Sequence, residues 1–206
     1  LAKDLLEQIS FEARESEYID VKSGVSARMS ITAFENLLST AERRSLMAGD
    51  DKTTVRLGDF MGMIPAITGK VELVYEGEQE GAASVAHTLI GDAIQTLFVT
   101  YFPEIKKLEK QNEKSPYDEV VTWFFDQSDF QLLDDLTEEA YKKMLDSVTP
   151  LQNLIDTHQP DLPKEDQYFM KEFILWALVE FKKLSKYRMT DGMRFKDLYG
   201  SYISGL

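Results

Sequence analysis

The sequence predicts a mainly α-helical fold with at most one short β-hairpin. Apolar residues recur at helical spacing along most of the chain, cap residues mark several helix ends, and β-leaning runs are few and short. An apolar fraction of 43% and an aromatic content of 11% exceed what disordered chains carry. With 206 residues, the chain is long enough to bury roughly 70% of its unfolded surface in one large or two small domains.

Two amphipathic helices are predicted in the first quarter of the chain. The first covers residues 1–17 and has one apolar stripe, formed by Leu5, Leu6, Ile9 and Ala13. For the second, Ser26 is a good N-cap candidate and Gly49 ends the helix. Its apolar residues at helical spacing are Ile31, Phe34, Leu37, Leu38 and Ala41.

The next segment contains a short helix and a β-leaning run. A third helix is predicted from about Leu57, with Phe60, Ile64 and Ile67 inward, and Pro65 should kink or end it. Val71–Tyr75 is either half of a small hairpin or a plain connector, and the connector is the favoured interpretation.

The remaining helices differ in how apolar they are. Ala82–Phe102 is apolar on more than one face, so we expect it at the centre of the core, and Thr137 should begin a later helix with a capping box. Pro163–Tyr187 is the most apolar helix, and residues 193–206 are predicted to form a short amphipathic one.

The charged segment 106–116 is the best candidate boundary between two parts of the chain.

Arg28 stands where helix electrostatics disfavour a cation. It lies in the first turn of the second helix, where unpaired amides and the helix dipole already concentrate positive charge. An anion at this position would remove the conflict, and a phosphate would be such an anion.

The segment around Arg28 resembles a known family. It resembles the sensor-2 segment of AAA+ ATPases of the MoxR and magnesium-chelatase ATPase-subunit type. The residues that carry this resemblance are Gly24-Val25-Ser26-Ala27-Arg28, at the start of a helix that reaches Glu42-Arg43-Arg44. Similarity extends to Ile9-Ser10-Phe11-Glu12-Ala13-Arg14 and to residues 59–77, which include Ile64-Pro65-Ala66-Ile67-Thr68-Gly69-Lys70. It covers roughly residues 1–155.

This resemblance implies a division of the chain and a role for one arginine. Residues 1–105 would be an AAA+ C-terminal helical lid with its sensor-2 segment at 23–49, residues 106–116 a linker, and 117–206 an appended helical subdomain. Arg28, with Ser26 beside it, would contact the terminal phosphate of ATP. Implied partners are neighbouring AAA+ subunits in a hexamer and a von Willebrand A-type protein, and the implied work is remodelling of a client or metal-insertion complex.

The chain departs from the family because it contains no G-x-x-x-x-G-K-[ST] phosphate loop and no Walker-B strand. Since Leu1 is not an initiator methionine, we expect a C-terminal piece of a larger ATPase, and the alternative is a natural processing product. ATP and Mg²⁺ would then belong to the parent protein. The piece alone should be inactive, with no catalytic residue and no cofactor of its own.

Charge and residue types exclude several classes of function. The net charge of −13 disfavours nucleic acid and anionic membranes, and no apolar run is long enough to span a bilayer. With no cysteine and with His87 and His158 far apart, no metal site is expected. The absence of cysteine fits a cytoplasmic location.

A second class of function remains open: an acidic helical adaptor that binds a protein partner without nucleotide. The two hypotheses differ in what they expect of Arg28. A phosphate sensor needs an exposed, unpaired Arg28 beside a cleft, whereas the adaptor needs only an Arg28 held in a salt bridge.

Overall fold

A computed structural model describes residues 1–105, 114–126, 130–189 and 192–198. Helices make up most of these residues, which confirms the mainly α prediction. A 3₁₀ helix spans Leu57–Met63. The α-helices are α1 (Ala2–Glu15), α2 (Ala27–Ala48), α3 (Ile64–Thr68), α4 (Tyr75–Glu80), α5 (Ala82–Tyr101), α6 (Asp118–Asp126), α7 (Glu138–Ser147), α8 (Thr149–His158) and α9 (Lys164–Glu180).

The described residues also form a three-stranded antiparallel sheet, so the prediction of at most one short β-hairpin is wrong, and no strand of this sheet comes from the candidate run Val71–Tyr75. Its order is β1 (Phe130–Leu133), β3 (Gly192–Asp197) and β2 (Leu184–Met189). The helix predicted over 193–206 is therefore wrong where it overlaps β3, and residues 199–206 lie outside the described part. The helix predicted over Pro163–Tyr187 is likewise wrong at its end, since α9 stops at Glu180 and residues 184–187 belong to β2. Burial of Met193 and Phe195, two residues apart, fits the period of a strand.

The β-leaning run Val71–Tyr75 forms no hairpin, and α4 begins at its last residue. One isolated bridge pairs Ile19 with Leu73. The Asp20 amide donates to the Glu72 carbonyl at 2.8 Å. The run is thus a connector that holds the loop leading into α2.

The core is built around α5 and α9. Helix α5 packs against α1 and α9, and every residue of α9 from Phe169 to Leu178 is buried. Among the described residues, α5 is the one helix long and apolar enough to suit a membrane span. In this fold it packs against α1, α3, α4 and α9.

Helix α2 begins and ends as predicted but turns a different face inward. Ser26 caps its N-terminus, and Gly49 follows its C-terminus at φ +75°. Three of the five apolar residues at helical spacing, Ile31, Phe34 and Leu38, are exposed, Ile31 by 60%. The other two, Leu37 and Ala41, are buried. The rest of the buried face is formed by Met29, Ala33, Arg44 and Ser45.

The charged residue on that buried face is held by an ion pair. The Arg44 guanidinium donates from Nε to Asp59 Oδ1 at 2.9 Å and from Nη2 to Oδ2 at 2.8 Å. It also donates to the Thr53 hydroxyl and the Thr54 carbonyl. Nearby, Gly62 lets the 3₁₀ helix approach α2, because a Cβ there would overlap the Thr40 hydroxyl.

The predicted division at 106–116 falls largely outside the described residues, which omit 106–113. Residues on both sides of it belong to one hydrophobic core. The rings of Phe98 and Phe173 lie 6.0 Å apart, and those of Phe60 and Phe169 lie 6.2 Å apart. These contacts fix how the two parts pack, while their separate identity as lid and appended subdomain stays a prediction.

We expect Asp59→Ala to lower the free energy of unfolding by about 3–5 kcal/mol, because it leaves the buried Arg44 guanidinium without its counter-charge. Urea denaturation followed by far-UV circular dichroism measures the change. The control is Asp51→Ala, which removes an exposed aspartate and should cost less than about 0.5 kcal/mol. Equal losses in both variants would contradict the importance of the pair.

Candidate functional site

Arg28 is exposed in the first turn of α2, as the phosphate-sensor hypothesis requires. Its side chain has no hydrogen bond, ion pair or ring contact within the described part of the chain. Its backbone amide donates to the Ser26 hydroxyl at 3.2 Å, so Ser26 acts as the helix cap. Arg28 is not in the wall of any of three pockets among the described residues, so none of these three is the cleft that the hypothesis expects beside it.

Hydrogen bonds of Lys22 and Ser23 hold the loop that precedes Arg28. The Lys22 amide donates to the Asp20 carboxylate at 2.8 Å, and the Ser23 hydroxyl donates to the Glu72 carboxylate. Gly24 takes φ +65°, which glycine adopts without strain. These contacts fix the direction in which α2 begins, and therefore the position of its first turn.

A cavity of about 490 Å³, which the sequence did not predict, lies near the other end of α2. Its walls come from α2, the 3₁₀ helix, the sheet, α7 and α9. Polar and charged side chains line it together with apolar ones: Thr40, Arg43, Arg44, Arg56, Asp59, Asp134, Asp135, Tyr141, Glu172 and Arg188, with Met47, Met61, Leu132, Leu133 and Met193.

Glu172, at the base of this cavity, is a buried hydrogen-bond acceptor. It accepts from the amides of Leu57 at 2.8 Å and Gly58 at 3.1 Å, and from the Tyr141 hydroxyl at 2.7 Å. Burial raises the pKa of Glu172 above its usual range, while the three donors act in the opposite direction. One side chain of α9 thereby connects the 3₁₀ helix to α7.

Arg56 is stacked on the same tyrosine. Its guanidinium lies 4.1 Å from the centre of the Tyr141 ring and donates to the Leu136 carbonyl at 2.9 Å. It also donates to Glu138 at 3.3 Å. Its Nε is buried and has no hydrogen-bond acceptor among the described residues.

A smaller cavity of about 280 Å³ lies between α5, α9 and β2. The Lys186 ammonium sits 3.6 Å from the centre of the Trp176 ring and donates to Glu180 at 3.0 Å. Burial lowers the pKa of Lys186. His87 is exposed at its rim, and the described residues hold no group of three or more potential metal ligands.

One sequence signal could have located the buried charges. Lys171 and Glu172 are adjacent charged residues inside an otherwise apolar run of α9, and both are buried. A charged pair there implies polar partners from other elements, because an unpaired buried charge is costly. Lys171 finds its partner in Asp146, at 2.5 Å.

We expect the contribution of Glu172 to stability to fall as pH rises. Because its folded-state pKa lies above its unfolded value, the native state holds the proton more tightly. The contribution is therefore present below about pH 4.3 and is lost as pH rises through the higher, folded-state pKa. Urea unfolding between pH 4 and 8 should show the stability of the wild type, relative to Glu172→Gln, decreasing with pH.

Glu7→Gln is the matched control, since Glu7 is exposed on α1. The difference in stability between the wild type and this variant should stay nearly constant over the same pH range. A difference between the wild type and Glu172→Gln that stays flat or rises with pH would refute the raised pKa.

Comparison with known proteins leaves the family unidentified. No family model matches the chain, and neither the curated proteins nor the solved structures searched contain a match.

Proposed function

We propose that this chain is the C-terminal lid region of an AAA+ ATPase of the MoxR or magnesium-chelatase ATPase-subunit type. The observation that carries the proposal is an exposed Arg28, in the first turn of α2, whose side chain has no hydrogen-bond or ion-pair partner among the described residues. A cation in that place is unfavourable by itself and becomes favourable beside a phosphate. The chain has 36 acidic residues, yet none of those described pairs with this arginine.

The residues present fit one part of an ATP site. A guanidinium presents a planar fork of donors that matches phosphate oxygens, so Arg28 suits the terminal phosphate. Ser26 accepts the Arg28 amide and keeps its own hydroxyl hydrogen free to donate. The sequence has no phosphate loop, so the remaining phosphate contacts and Mg²⁺ belong to the parent protein.

ATP would supply the phosphoryl group that water attacks. This chain would supply the positive charge of Arg28 and the movement of the helix that carries it. Arg28 stabilises negative charge on the terminal phosphate, and its contact ends when that phosphate leaves. Because α2 packs on α1, α3 and the 3₁₀ helix through a buried face, a displacement of Arg28 moves these elements together. The lid in this way transmits hydrolysis to a bound client.

The proposal includes an assembly and a location. Neighbouring subunits of a hexamer would complete the ATP site, and a von Willebrand A-type protein would be a partner in remodelling or metal insertion. The location would be the cytoplasm, and neither nucleic acid nor membrane is a partner, given the net charge of −13.

The alternative function is an acidic helical adaptor that binds a protein without nucleotide. Exposed apolar side chains on α2 favour it: Ile31 is 60% exposed, and Leu46 and Met47 still more so. An adaptor would keep its partner when ATP is absent, and its function would not depend on Arg28.

We expect Arg28→Ala in the complete protein to lower ATP turnover more than tenfold with little change in thermal stability, because the residue is exposed and its side chain makes no hydrogen bond or ion pair with the described residues. A steady-state ATPase assay measures turnover. Lys52→Ala removes an exposed cation beyond the far end of α2 and serves as control. Unchanged turnover with ordinary nucleotide affinity in Arg28→Ala would overturn the sensor assignment and favour the adaptor.

A further inference from the structure

The larger cavity gathers most of the arginines in this acidic chain. Four of the seven line its walls: Arg43, Arg44, Arg56 and Arg188. Its volume, about 490 Å³, is within the range of small-molecule sites, roughly 300–1,000 Å³. The same wall carries four carboxyl groups, those of Asp59, Asp134, Asp135 and Glu172, so what it offers an anion is individual guanidinium groups and not an overall positive charge.

Two of these arginines are fixed. Arg44 is held by both oxygens of Asp59, and Arg56 by Glu138 and the Leu136 carbonyl. Both are buried and therefore rigid. Their carboxylate partners neutralise their charge and leave them few free donors for a ligand.

The other two arginines are available to a ligand. Arg43 is exposed and contacts no acceptor among the described residues. Arg188 pairs with Asp134 at 2.8 Å, but each side chain of that pair is 49% exposed. Exposed ion pairs contribute about 0–1 kcal/mol, so a ligand anion can compete with Asp134 for this guanidinium.

The apolar part of the wall consists largely of methionines. Met47 is 71% exposed, Met61 is half-buried and Met193 is buried, and all three line the cavity. Methionine side chains adapt their shape to an apolar guest. The exposure of Met47 leaves apolar surface that a ligand would cover.

The carboxylates of the wall limit the charge of that ligand. Asp134 and Asp135 are exposed residues that line the same cavity. A second negative group on the ligand would meet these carboxylates and be repelled. A phosphate ester, which carries close to two charges at neutral pH, is disfavoured for the same reason.

We propose that this cavity binds a small apolar monocarboxylic acid. Its carboxylate lies between Arg43 and Arg188, and its apolar body covers Met47, Met61 and Met193. The site is separate from the proposed phosphate contact, because Arg43 lies fifteen residues along α2 from Arg28, which is about 22 Å. The two assignments can therefore fail independently.

The test is a titration of the whole chain with 3-phenylpropionate, followed by NMR of carbon-13-labelled methionine methyl groups. The chain has eight methionines, so the experiment has internal controls. The signals of Met47, Met61 and Met193 should shift with a single saturating dependence on ligand concentration. Those of Met144 and Met170, which do not line the cavity, should stay in place.

Variants and ligand analogues identify the contacts. Arg43→Gln and Arg188→Gln should each weaken binding by about tenfold, the loss of one charge-assisted contact. Arg14→Gln removes an exposed arginine of α1 and should leave affinity unchanged. The neutral 3-phenylpropanol and the more highly charged phenyl phosphate should both bind more weakly than the carboxylate.

Three results would overturn the proposal. One is the absence of any shift in the three methionine signals at millimolar ligand. Another is undiminished affinity in both Arg43→Gln and Arg188→Gln. The third is equal binding of the alcohol and the acid, since it would mean that the guanidinium groups take no part.

Discussion

The packing of this protein depends on one buried carboxylate. Glu172 of α9 accepts hydrogen bonds from two backbone amides of the 3₁₀ helix and from the Tyr141 hydroxyl. A short 3₁₀ helix leaves such amides without partners of its own, so an outside acceptor is needed wherever its end is buried. This contact joins segments more than a hundred residues apart, and it positions the 3₁₀ helix that carries Asp59.

The position of Asp59 in turn decides the orientation of α2. Asp59 holds Arg44, so α2 must turn the face that carries Arg44 toward the core. This rotation leaves Ile31, Phe34 and Leu38 on the surface. It also places Arg43 at the cavity, because the neighbour of a buried helical residue lies about 100° around the axis. A buried ion pair thus determines which apolar side chains of α2 remain available to a partner.

The two ends of α2 offer different chemistry. At its N-terminus, Arg28 adds charge to a helix end that already favours anions, which suits a phosphate from a nucleotide bound elsewhere. Near its C-terminus, Arg43 adds charge to a cavity whose deeper arginines are already neutralised by Asp59 and Glu138. A rigid helix of 22 residues connects the two. A ligand in the cavity and a nucleotide at the N-terminus would therefore both contact the same helix, α2.

The sequence by itself determined the helical class, the ends of α2 and the central place of α5, because caps and apolar periodicity are local properties. It also identified Arg28 through a local conflict between a cation and a helix N-terminus. Only the tertiary structure decided the inward face of α2, the sheet formed by β1, β2 and β3, and the cavity with Arg43 and Arg188. Each of these depends on pairing between residues distant in sequence, such as Arg44 with Asp59, which periodicity along one segment does not encode.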